Sequence, residues 1–135
     1  NLVIGMSVVV KYLNGTKFEV TCRGHSIISD QPESEQGTDK GMTPVELLNA
    51  SLSACSAYFA SLFLKRRIQD LKGLEVRSTW QYSENPHRVG TITLTIIPPR
   101  ALTKQEKTGL LKAIEHCTIE NTLRHTPEIH VDIKD

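Results

Sequence analysis

Thr43-Pro44-Val45-Glu46-Leu47-Leu48-Asn49-Ala50-Ser51-Leu52-Ser53-Ala54-Cys55-Ser56-Ala57-Tyr58-Phe59-Ala60-Ser61-Leu62-Phe63-Leu64 is the stretch on which the fold turns. Its first four residues are a helix start. Thr43 and Glu46 have the spacing of a capping box, and Pro44 takes the first helical position, where its missing N–H costs nothing. From Val45 to Leu64 nearly every face is apolar or small. A helix of that kind is buried all round, in a large core or between subunits. A chain of 135 residues has limited means to bury it alone, which points to a dimer. Lys65-Arg66-Arg67 follows with cations suited to a helix C-terminus, and Gly73 closes the element.

Upstream, Ser7–Leu13 and Thr16–Arg23 read as strands around Asn14-Gly15, the signature of a two-residue type I′ hairpin. His25–Asp30 reads as a third short strand, and the polar Gln31–Met42 as a loop. Downstream, Leu74–Tyr82 and Val89–Ile97 alternate apolar and polar residues, and Pro98-Pro99 ends the second of these strands. Thr103 and Glu106 form a second capping box, after which Leu110, Ile114 and Cys117 share one helical face. Thr118–His125 is read as a further short helix and Glu128–Ile133 as a last strand. The expected order is βββ-α-ββ-α-β, an α+β domain with antiparallel sheets and a long buried central helix.

Composition narrows the function. With 16 Lys and Arg against 15 Asp and Glu, the net charge of +1 argues against nucleic acid or an anionic membrane as partner. No membrane span is expected. The length suits one domain over residues 1–135, with residues 1–5, ahead of Met6, open to reading as a cloning remnant. No basic, apolar and small-residue leader is visible, so the expected compartment is the cytoplasm. Three cysteines, at 22, 55 and 117, make neither a disulfide framework nor a zinc spacing. No metal and no organic cofactor is expected.

Cys55 is the residue most suggestive of chemistry, because small neighbours let a ligand approach it. A free Cys is equally a small core hydrophobe, and Cys117 shares that ambiguity. The two could lie side by side on the core faces of two helices. Sequence spacing does not decide it, since a bridge requires Cα atoms within ~7 Å. Cys22 is read as packing. Trp80 and Tyr82 are read as sheet core or dimer contacts. Lys65-Arg66-Arg67 is either a solvated helix end or a site for an anionic thiol or acyl carrier. His116, beside Cys117, is a candidate proton shuttle.

Ile28-Ser29-Asp30-Gln31-Pro32, Gly37-Thr38-Asp39-Lys40-Gly41, Thr43-Pro44-Val45-Glu46-Leu47-Leu48 and Leu52-Ser53-Ala54-Cys55 together resemble the OsmC/Ohr family of osmotically inducible and organic hydroperoxide resistance proteins. Ile114-Glu115-His116-Cys117 resembles that family's second cysteine. The resemblance implies an intertwined homodimer with its site between subunits. It also implies a thiol peroxidase acting on organic hydroperoxides, with Cys55 peroxidatic, Cys117 resolving, and an external dithiol reductant, by analogy of lipoyl type. In the family's peroxidases an Arg from a Gly-Gly-Arg segment stabilises the thiolate and is held by a Glu directly after the Pro. Here Arg23, followed by Gly24, is the nearest Arg, and Val45 takes the place of the Glu. Glu46 stands nine residues before Cys55, half a turn out of alignment and ~13.5 Å along a straight helix. These departures leave a second reading open, a non-catalytic protein holding an apolar or thiol-bearing metabolite in the inter-subunit pocket. They also leave a third, in which the cysteines are only core.

Overall fold

A computed structural model describes residues 7–135. The reading of residues 1–5 lies outside them. The chain divides after Leu48 into two compact units.

The first unit holds a three-stranded antiparallel sheet in the order β1-β2-β3, with β1 Val9–Asn14, β2 Lys17–Cys22 and β3 His25–Ser29. Its turns differ from expectation. A type I′ turn needs positive φ at both central residues. At Asn14-Gly15 only Gly15 has it, at +55°, and Asn14 stays in its strand, paired with Lys17 after a register shift. The two-residue turn with positive φ at both positions is instead Arg23-Gly24, at 51° and 81°, between the paired Cys22 and His25. Arg23 thus leaves the strand assigned to it and sits at a hairpin tip. β1 is an exposed apolar edge, with Val10 56% and Tyr12 63% accessible.

Asp30 organises the loop that follows. Its side chain is 1% exposed and accepts from the hydroxyls of Thr16 and Thr38 and the amides of Gln31, Thr38 and Lys40. Burial alone would push this carboxyl up. The donors from Thr16, Thr38, Lys40 and Gln31 outweigh it and hold the group well below the usual carboxylate range. Ser29 donates its hydroxyl to the Met42 carbonyl at 2.9 Å, and Gly41 packs so closely on the Ile28 carbonyl that a side chain there would collide with it. The polar loop contains one 3-10 turn, Glu33–Glu35, and delivers the chain to the central helix.

That helix, α1, runs Pro44–Leu64. The predicted capping box is present: Glu46 accepts from the Thr43 amide at 2.8 Å, and Thr43 accepts from the Glu46 amide at 3.2 Å. Burial follows one stripe only, Asn49, Leu52, Ser56, Ala60 and Leu64. Tyr58 and Leu62 stay 58% and 43% exposed, so a single chain does not bury the helix all round. The expectation of no membrane-length segment also needs correction. At 21 residues and a mean hydropathy of 1.5, α1 is long and apolar enough to cross a bilayer by length and composition. Its buried stripe nonetheless carries the polar Asn49 and Ser56, which pack inside the protein.

In the second unit β4 Glu75–Ser83 pairs antiparallel with β5 Arg88–Ile97. Trp80 is half-buried opposite Ile92, whereas Tyr82, beyond a register shift, is exposed and stacks on His87. Helix α2 spans Lys104–Ile114 and α3 spans Thr118–Arg124. The α2 capping box forms as expected, and Arg100 holds Glu106 through both carboxylate oxygens. Ala60 and Leu64 of α1 meet Leu110 and Ile114 of α2 in one core, with Phe63, Ile68, Leu74 and Ile96 packed around it. The predicted last strand is not formed. Ile129, Val131 and Ile133 alternate as a strand would but are 82%, 87% and 89% exposed. A strand exists only by pairing, and among the described residues no strand bonds to them.

Asp30→Asn should lower thermal stability by about 5 °C or more at neutral pH. Because the folded pKa is depressed, the wild-type carboxylate contributes above the ordinary range near 3.8 and loses that contribution as pH falls through the folded value. Urea midpoints at pH 7 and pH 3 should therefore fall further in the wild type than in the variant.

Candidate thiol site

Cys55 lies in mid-α1, half-buried, on the flank of the buried stripe. Cys117 lies in the turn joining α2 to α3 and is fully buried. Its amide donates to the Ile114 carbonyl at 2.9 Å, and its sulfur accepts the Glu120 amide at 3.4 Å as the N-cap of α3. The two elements run antiparallel. Phe63 of α1 lies against Gly109 of α2, eight residues along from Cys55 and eight back from Cys117. The core between them therefore brings the two thiols together as electrostatically coupled neighbours, both free.

Burial pushes the Cys117 thiol up. The Glu120 amide pulls the other way, the hydrogen bond and charge of Cys55 push it up further, and the Ile119 amide again opposes. The balance keeps Cys117 protonated around neutral pH, so its S–H can be donated to Cys55.

Glu46 spends its carboxylate on the cap of α1. Arg23 is exposed at the β2–β3 turn, and no ion pair joins it to Glu46 among the described residues. Cys22 is half-buried in β2. His116 is exposed in the turn after α2, where it lines a groove with residues of α1 and α2. Lys65, Arg66 and Arg67 are all exposed, as a solvated helix end would be, and Arg66 and Arg67 also line this groove. Among the described residues no group of three or more His, Cys, Asp or Glu could hold a metal ion.

Sequence reasoning missed Ser53 and Ser56. Their hydroxyls are buried beside Cys55 with no hydrogen-bond partner. An unsatisfied buried hydroxyl costs about 1–3 kcal/mol, and Ala would avoid that cost. The sequence signal was two serines close to the cysteine within a mostly apolar helix.

A profile of the OsmC-like protein family matches residues 37–132. No curated protein matches the sequence. Among solved structures, an OsmC-like protein of Mycoplasma pneumoniae shares 20% identity over 93% of this chain and 91% of its own, with a TM-score of 0.73. A Psychrobacter arcticus protein assigned to osmotic stress induction and detoxification response shares 21% over 87% and 88%, with a TM-score of 0.78. An organic hydroperoxide resistance protein of Legionella pneumophila shares 17% over 92% of both chains, with a TM-score of 0.68.

Iodoacetamide applied to the folded, reduced protein should label the half-buried Cys55 roughly tenfold faster than the buried, protonated Cys117. Peptide mass spectrometry reads the ratio, and Cys117 should label readily only in urea.

Proposed function

The chain belongs to the OsmC-like family, and on that premise we propose that it is a cysteine-based peroxidase that reduces organic hydroperoxides. The observation that carries the reading is the adjacency of Cys55 and Cys117, a reachable sulfur beside a buried one. Cys55 as thiolate attacks the distal peroxide oxygen. The O–O bond breaks, an alcohol leaves with a proton, and Cys55 becomes a sulfenic acid. Cys117 then attacks that sulfur, water leaves, and a Cys55–Cys117 disulfide forms. An external dithiol, by analogy of lipoyl type, returns both to thiols. Cys55 is the nucleophile and Cys117 both the S–H donor to it and the resolving group. Arg23 and Glu46 are the family's nearest activating pair, and their service would require Glu46 to leave its cap.

The reading extends to a homodimer. Its support is apolar surface that a single chain leaves open: β1, Tyr58 and Leu62 on α1, and the alternating Ile129, Val131 and Ile133. Such exposure marks interaction surfaces. Three free thiols suit a reducing compartment, which supports a cytoplasmic location as part of this reading. A non-catalytic binding protein is the second reading, and the capping role of Glu46 favours it.

One set of variants separates the two. Cumene hydroperoxide consumption with excess dithiothreitol should fall by about a thousandfold or more in Cys55→Ser. Cys117→Ser should leave a single fast turnover that ends in a trappable sulfenic acid. Circular dichroism should match the wild type in both, and light scattering should give twice the 15.1 kDa chain mass. Unchanged turnover in Cys55→Ser removes the peroxidase reading.

A further inference from the structure

Ser56 is fully buried, and its hydroxyl has no hydrogen-bond partner. It follows Cys55 directly in α1, and the reaction set out above gives it no task. A buried hydroxyl without a partner destabilises a fold, and alanine, the best helix former, would fill the position without that cost. We propose that Ser56 is a catalytic residue of the resolving step: its hydroxyl donates to the Cys117 sulfur as that sulfur becomes the thiolate that attacks the Cys55 sulfenic acid. The inference rests on the redox reading above and names a further residue of the same site.

Position supports the assignment. Four residues carry a helix about 40° past a full turn, so Ser56 stands between Leu52 and Ala60 at the centre of the buried stripe. Ala60 shares one core with Leu110 and Ile114 of α2. One turn back along α1 from Ala60 is Ser56. One turn on from Ile114 is Cys117, whose amide donates to the Ile114 carbonyl at 2.9 Å. The antiparallel register therefore places Ser56 and Cys117 at matching levels of the seam, both 0% exposed. Cys55 lies about 100° round the helix from Ser56, on the half-buried flank. Asn49, the other polar residue of the stripe, is about 10 Å nearer the start of α1.

The resolving thiol needs such a donor. Cys117 must give up its proton in a buried place, where burial favours the neutral form. From α3 it meets the Glu120 amide, 3.4 Å from its sulfur, and the Ile119 amide, both of which favour the thiolate. The Glu120 carboxylate is held by Arg124 at 2.8 Å. On the side of α1, the group at the level of Cys117 that can donate is the Ser56 hydroxyl. In the reduced protein Cys117 is neutral and draws a donor only weakly, so the hydroxyl stands idle. A thiolate draws it harder, because a hydrogen bond to an ionised acceptor is roughly twice as strong as a neutral one. A hydroxyl rotor adjusts without movement of the backbone.

The step balances. Cys117 loses its proton, and its thiolate attacks the Cys55 sulfur. The S–S bond forms as the S–O bond of the sulfenic acid breaks, and the departing oxygen takes up a proton and leaves as water. The Cys117 sulfur is oxidised and the Cys55 sulfur reduced. Ser56 keeps its own proton throughout.

The test follows both steps in the full, reduced chain after one equivalent of cumene hydroperoxide. Rapid quenching into dimedone counts the Cys55 sulfenic acid, and peptide mass spectrometry counts the Cys55–Cys117 disulfide. In Ser56→Ala the sulfenic acid should form at the wild-type rate, while the disulfide closes about tenfold more slowly or worse. The thermal midpoint of that variant should equal the wild type's or exceed it. Ser56→Thr, which keeps the hydroxyl, should restore closure. Ser53→Ala removes the other unpartnered serine hydroxyl of α1, about 160° round the helix from Cys55, and should leave both rates unchanged. Wild-type closure in Ser56→Ala overturns the proposal. So does slowing of both steps together, equal slowing by Ser53→Ala, or slow closure that Ser56→Thr does not restore, each of which makes Ser56 a packing residue. None of these results touches the peroxidase reading. A wild-type chain that forms neither sulfenic acid nor disulfide overturns this inference and the redox reading together.

Discussion

The antiparallel packing of α1 on α2 is the constraint from which the rest of the site follows. Ala60 and Leu64 meet Leu110 and Ile114, and each large aliphatic side chain so buried contributes about 1.5–3 kcal/mol. Phe63 lies against Gly109, where no side chain stands between the helices. That register leaves the continuation of α1 toward its N-terminus facing the end of α2. Cys55 and Cys117 become neighbours, and Phe59, Phe63, Arg66 and Lys112 line one groove along the same seam. One packed seam thus sets both the thiol pair and the groove beside it.

The environment of the pair is asymmetric, and the asymmetry divides the labour. Cys117 is wrapped by α2, α3 and the Glu120 amide, and burial keeps it a thiol. Cys55 keeps partial access on the helix flank. A nucleophile must be reached by substrate, whereas a resolving group must only reach the nucleophile. The buried hydroxyls of Ser53 and Ser56 weaken the helix's packing beside Cys55, a cost that a purely structural helix would avoid.

Much of the scaffold was legible from local chemistry. Both capping boxes, the order of the five strands and the short third helix follow from residues close in sequence. The losses have physical causes. Asn14-Gly15 reads as a type I′ turn, but the register shift in β1 moved the turn by one residue. Arg23 reads as a strand residue because only Asn, Asp and Gly usually announce a positive φ. Val131 and its alternating neighbours carry a strand pattern, yet a pattern forms no ladder without a partner strand. In the site, the cysteine pair was visible only as a possibility of two faces, since no spacing measures a distance between helices. The groove cations looked like a helix end because Lys112 and Arg66 are far apart in sequence.

The central claim is that Cys55 and Cys117 work as one redox pair. Its most direct measurement is peptide mapping by mass spectrometry after one equivalent of cumene hydroperoxide meets the fully reduced protein. The account predicts an intramolecular Cys55–Cys117 cross-link, lighter by two hydrogens, with Cys22 unchanged. Cys55 carried to a sulfinic acid while Cys117 stays a free thiol, or both thiols left untouched, would contradict it.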